Sequence, residues 1–171
     1  MAITLEQAVT GIKSPVTTPR GLAARLRYLT QSDGGREAMA RAGITVKPET
    51  VDNWIEKKTV PKRGNLEKID AAYWDYRRRN LAKEFKTRLN DNGRGTEIEI
   101  YPVDQSQVEQ KYKRDIQIRR KNIRGTLWNA VVDAWVEGDE DALDVCWDEV
   151  LNELDSDYDS YTYVTAVGFG V

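Results

Sequence analysis

Gly35 to Asp70 constrains the fold of this chain more than any other stretch, because its pattern is that of a helix-turn-helix. Arg36 to Gly43 is a short amphipathic segment that closes on a glycine, and Ile44-Thr45-Val46-Lys47 follows as a turn. Pro48 then stands in the first turn of a new helix, where its missing N–H is not needed. Val51, Trp54 and Ile55 recur at i, i+3 and i+4 and give that helix one buried face. Glu49, Thr50, Asn53, Lys57 and Lys58 are left on the other. Val60-Pro61 breaks the helix, and Leu66, Ile69, Tyr73 and Tyr76 open a longer one. Two short helices joined by a tight turn, with supporting helices on both sides, form an arrangement that can lay its second helix in a DNA major groove.

The charges are segregated along the chain. All 26 Lys and Arg lie at or before Arg124, together with 16 of the 28 acids, whereas residues 126–171 hold 12 acids and no base. A basic region enclosing a helix-turn-helix is an electrostatic footprint for phosphate binding. The acidic remainder would repel phosphate. It carries Trp128, Trp135, Trp147 and Phe169 with helical periodicity, an apolar content that disordered acidic tails lack. It is therefore expected to fold, and to face away from a duplex or dock on a basic protein surface.

Several function classes drop out. With no histidine and Cys146 as the only cysteine, no His-based triad, His general base or zinc finger is possible. Cys146 cannot form an internal disulfide; it suits a reducing cytoplasm and reads as a packed residue. No run of about 18 apolar residues suggests a membrane span, and the first residues lack the basic start and apolar core of a signal peptide. Asp155-Ser156-Asp157-Tyr158-Asp159 has the alternating carboxylates of a calcium loop. Ser160 stands where the turn glycine belongs and Ala166 where the bidentate glutamate belongs, so a polar loop is the expectation. Asp144, Asp148 and Glu149 read as a solvated helix face, and Gly93-Arg94-Gly95 is too short for a nucleotide loop. The expectation is a non-enzymatic protein without metal or cofactor, in the cytoplasm and associated with the nucleoid.

The rest of the chain predicts an α+β fold, mainly α. Residues 1–20 read as an N-terminal arm, with a short helix over Ile3–Val9 capped by Thr4 and Gln7. Gly21 to Gln31 is a helix with Leu22, Leu26 and Leu29 on one face and Arg25 and Arg27 beside it. A long helix runs from about Asn65 to Leu89. An offset between its two apolar stripes near Asn80 predicts a bend or a change of partner. Asn90 to Gly95 is a turn and the expected domain boundary. Thr96 to Tyr101 alternates as a strand ended by Pro102, and Ile116 and Ile118 suggest another. Helices follow over Thr126–Val136, ended by Gly138, and after Asp139-Glu140-Asp141. Tyr161 to Val167 is a terminal strand that could pair with the strand near Ile98. The expected division is an arm (1–20), a helix-turn-helix domain with a long basic helix (21–90), and an α+β domain (96–171), acidic after 125, for a partner or for dimerisation.

Early exposed positions of a recognition helix reach base edges, which makes Lys47, Glu49, Thr50 and Asn53 candidates, with Asn53 suited to adenine. Lys57, Lys58, Lys62 and Arg63 are candidates for phosphate. Arg77-Arg78-Arg79 on the long helix either track the DNA backbone or form a solvated face.

Arg25-Leu26-Arg27-Tyr28-Leu29, the helix-turn-helix through Trp54, the Pro61 turn and the basic helix past Arg77-Arg78-Arg79 resemble the telomere terminal proteins (Tpg type) of actinobacterial linear chromosomes and plasmids. The order of parts agrees as well. The first half also resembles the repressor-type, Cro-like helix-turn-helix, with a longer turn and a shorter preceding helix. The terminal-protein resemblance implies a Ser, Thr or Tyr hydroxyl that primes end-patching synthesis and stays bonded to the DNA 5′ end. Thr96, Tyr101 and Ser106 lie in the region where such a residue would sit, and none aligns well enough to be assigned. The expected function is binding of double-stranded DNA in the maintenance or replication of a replicon. A phage- or plasmid-borne transcriptional regulator with a dimerisation domain is the alternative, and a protein-interaction adaptor the second alternative.

Overall fold

A computed structural model describes residues 1–154, 161 and 163–170. The fold is α+β and mainly α, with seven α-helices and one three-stranded antiparallel sheet among the described residues. The helices are α1 (Ala2–Ala8), α2 (Pro19–Thr30), α3 (Asp33–Arg41), α4 (Pro48–Ile55), α5 (Arg63–Asn90), α6 (Gly125–Glu137) and α7 (Glu140–Asn152). The strands are β1 (Thr96–Pro102), β2 (Arg119–Ile123) and β3 (Val164–Gly168). The chain forms two compact units, Val9–Leu81 and Met1–Ala8 with Ala82–Val171, and α5 runs from one into the other.

This division differs from the expected one. Residues 1–8 are no arm: they form α1 within the α+β unit, where Leu5 is fully buried, Thr4 Oγ1 donates to Val167 O (3.0 Å) and Trp135 Nε1 donates to Glu6 (3.1 Å). Thr4 is thus tied to the sheet instead of pairing with Gln7. Residues 9–18 belong to the helical unit, and the Ile12 N–H donates to Tyr73 Oη at 2.8 Å. The boundary expected at Asn90–Gly95 falls inside α5, between Leu81 and Ala82. The physical reason is the change of partner along that helix. Ile69, Ala72 and Tyr73 join the helical core, while Phe85 stacks near Trp135 with ring centroids 5.7 Å apart.

In the helical unit each turn has a local cause. Thr18 caps α2 by accepting from Gly21 N (3.1 Å), and Pro19 fits its first turn. Ser32 caps α3 through Gly35 N (3.3 Å). Gly35 lets α3 approach α2, since a Cβ there would stand 2.1 Å from Leu29 O. Leu22, Leu26, Leu29, Met39, Ile44, Val51 and Trp54 close the core against Ile69 and Tyr73 of α5. Arg25, expected at the edge of the apolar stripe, lies within this core at 4% exposure. Its Nε donates to Asp70 (2.6 Å), its Nη1 to Ser14 O (2.7 Å) and Gly21 O (3.2 Å), and its Nη2 to Ile12 O (3.3 Å). The guanidinium also sits 5.1 Å from the Tyr73 ring centroid. A buried charge survives only when it is paired and hydrogen-bonded in this way.

In the α+β unit the strand order is β2-β1-β3, both pairs antiparallel. β1 and β3 pair as the sequence suggests, with Ile100 opposite Val167 and Tyr101 opposite Ala166. β2 lies three residues beyond the expected Ile116 and begins at Arg119; its polar run pairs outward, Arg120 meeting Glu99 at 2.7 Å. Ile98, Ile100 and Ile123 are buried with Trp128, Val131, Val132 and Trp135 of α6. Trp128 Nε1 donates to Thr96 O at 3.0 Å. Gly138 ends α6 in the left-handed region (φ +67°), and Asp139 caps α7 through Ala142 N (2.9 Å). Cys146 is buried, and burial followed by the Glu149 charge pushes its thiol pKa up, as befits a packed residue. Asp155–Asp159, the polar-loop candidate, lies outside the described residues. No helix among them is long and apolar enough to cross a membrane.

Candidate nucleic-acid interface

The candidate interface begins with α4. Pro48 starts it and Lys47 occupies its N-cap without a side-chain cap bond. Val51 and Trp54 bury one face, on the α2 side of the core. That orientation leaves Lys47 and Glu49 exposed and Thr50 and Asn53 half-buried. The Asn53 carbonyl accepts from Lys58 N (2.8 Å) and Thr59 N (3.3 Å), which fixes the exit of the helix. Its side-chain amide makes no hydrogen bond among the described residues, so neither its donor nor its acceptor is already taken, and an amide of this kind can pair with a base edge.

Lys57, Lys58, Lys62 and Arg63 follow on the connection to α5 and its first residue, all exposed. Lys58 pairs with Glu56, whose hydrogen bond and charge raise the lysine pKa, and Arg63 pairs with Glu67 at 3.1 Å. Lys57 has φ +61°, a left-handed conformation unusual for a residue with a side chain. Such cations can meet phosphates, while Asn53, Thr50 and Glu49 offer base-edge donors and acceptors.

The arginine triplet is separate from this set. Arg77 starts 14 residues along α5 from Arg63, about 21 Å at the rise of an α-helix. All three arginines are half-buried. Arg77 donates to Thr10 O (2.7 Å) and Thr10 Oγ1 (3.3 Å), and Arg79 donates to Asp75 (2.9 Å). Arg77 and Arg79 are therefore engaged inside the helical unit.

Several positioning residues carry no motif. Arg41, in the last turn of α3, donates to Asp75 at 2.7 Å and so shares that carboxylate with Arg79. Burial alone would raise the Asp75 pKa, but the hydrogen bonds from Arg41 and Arg79 outweigh it and hold the carboxyl below its ordinary value. Lys68 Nζ donates to Gly43 O (2.8 Å), tying α5 to the turn before α4. The one sequence signal for the Arg41 tie is Asp75, an acid that stands just before Arg77-Arg78-Arg79 on α5.

The hydroxyls implied by the terminal-protein resemblance differ in setting. Thr96 Oγ1 donates to Leu89 O (3.0 Å) at the end of α5. Tyr101 Oη donates to Glu99 (2.8 Å), which raises its pKa, and Ser106, exposed, donates to Asp104 (3.0 Å). Among the described residues no cluster of three His, Cys, Asp or Glu could hold a metal ion. Comparison with known proteins finds no matching family, no matching curated protein and no matching solved structure.

Proposed function

We propose that this protein binds double-stranded DNA through α4 and the connection that follows it, in the maintenance or replication of a replicon on the nucleoid, as its resemblance to telomere terminal proteins implies. The observation that carries the reading is the outward face of α4. Lys47, Glu49, Thr50 and Asn53 are presented there by a helix whose other face is locked in the core, and four exposed cations follow it. The unit around it, Val9–Leu81, holds 15 Lys and Arg against 8 Asp and Glu. The acidic α6 and α7 are ill suited to phosphate and serve a protein partner or dimerisation instead.

The test is the salt dependence of binding to a labelled duplex. Engagement of Lys47, Lys57, Lys62 and one further cation gives a log–log slope of about −3.6, at roughly 0.9 per phosphate. An adaptor whose DNA binding is incidental gives little binding and a flat slope. The finer reading is tested by weighing the protein from its native host after nuclease digestion. A nucleotide mass left on a Ser, Thr or Tyr peptide supports a terminal protein. An unmodified mass throughout removes the covalent role and leaves the transcriptional regulator as the better reading.

A further inference from the structure

The connection from α4 to α5 has a composition that folding alone does not account for. Val60 is 80% exposed, more than any other large hydrophobic among the described residues. Lys57 and Lys58 precede it and Lys62 and Arg63 follow, all four exposed. A single exposed valine needs no explanation, but this one is held in place between cations. The Asn53 carbonyl takes the N–H groups of Lys58 and Thr59 on one side, and Pro61 is buried on the other. Lys58 and Arg63 are offset by Glu56 and Glu67, but Lys57 and Lys62 have no acidic partner among the described residues, and Lys57 is held at positive φ where glycine would rest without strain. A neighbouring polyanion with apolar groove walls would give those two cations partners and give Val60 a surface on which to leave water.

We infer that Val60 is an apolar DNA contact: the flanking cations hold phosphates, and its methyl groups seat against a thymine methyl or a deoxyribose of the groove. This rests on the DNA-binding reading above and adds to it a residue that reads no charge. An acidic protein surface is the competing occupant.

The test is fluorescence anisotropy of the full chain with a labelled mixed-sequence duplex, and with the same duplex carrying uracil for thymine. Val60→Thr and Val60→Ala are the variants. Because the side chain already faces water, their urea unfolding midpoints are expected to match the wild type. Both are expected to bind about threefold to tenfold more weakly, the range for losing part of a valine's burial at about 0.8 kcal/mol per methyl group, with an unchanged salt slope because no cation is lost. If the contact is a thymine methyl, the wild type weakens on the uracil duplex and the variants do not. If it is a deoxyribose, the variants lose equally on both. Variants that bind like the wild type, with wild-type binding still steep in salt, overturn the inference and leave the DNA reading standing. A wild type without salt-sensitive binding overturns the DNA reading, and the inference with it.

Discussion

Replacing Lys57 by glycine is expected to make the protein more stable and a weaker DNA binder. Lys57 closes α4 at φ +61°, with its N–H on Trp54 O (3.2 Å) and the next N–H on Asn53 O (2.8 Å). A left-handed L-residue costs about 1–2 kcal/mol there. Glycine removes that cost but returns about 0.4–1 kcal/mol through its freer unfolded chain. The side chain is exposed and has no ion pair among the described residues, so the fold loses no contact. The net expectation is a gain of up to about 1.6 kcal/mol. Urea unfolding measures this, and hydrogen exchange of the α4 amides locates it. In the same variant the log–log salt slope of duplex binding is expected to become shallower by about 0.9, the signature of one lost phosphate contact. A general folding defect lowers both quantities together, whereas this account moves them in opposite directions. Destabilisation by Lys57→Gly refutes the strain argument, and an unchanged salt slope refutes the phosphate contact.

Asn53→Ala is expected to weaken binding to a preferred site by about 1–3 kcal/mol, measured against scrambled duplexes; an equal loss on every sequence makes Asn53 a fold or backbone residue instead. Arg25→Ala removes the partner of Asp70 and of three backbone carbonyls and leaves a void, so a loss of about 3–5 kcal/mol in urea unfolding is expected. Asp75 titrates below its ordinary 3.8 in the folded protein, so its contribution is full above that value and is lost as pH falls through the lower native pKa. Asp75→Asn is expected to flatten the acid limb of the stability curve below about pH 4, read by circular dichroism.

The parts of the fold legible in the sequence are those with a local period. Val51 and Trp54 after Pro48 define α4, and the alternation of Ile98 and Ile100 defines β1 and its pairing with the terminal strand. β2 was not legible, because Arg119-Arg120-Lys121-Asn122 has no apolar alternation; β1 makes it a strand by pairing Glu99 with Arg120. α1 looked like part of an arm because Leu5 gains its burial from a unit whose other residues begin at Ala82. Arg25 reads only as an edge residue of the α2 apolar stripe because the Ile12 and Ser14 carbonyls that accept from it lie in coil, where no periodicity points. The triplet at Arg77 to Arg79 shows the converse, since a run that suits phosphate also suits Thr10 and Asp75. At the candidate interface the sequence picked out α4 and its lysines but not the Arg41, Lys68 and Asp75 bonds that brace the segment.

The most direct test of the central claim is lysine acetylation of the full chain with and without duplex DNA, read peptide by peptide in a mass spectrometer. All the lysines concerned are exposed, so each reports its own contact. The account expects DNA to protect Lys47, Lys57, Lys58 and Lys62 and to leave Lys111 and Lys113 of the α+β unit as reactive as before. Protection of Lys111 and Lys113 without protection of Lys47 and Lys57, or no protection at all, contradicts it.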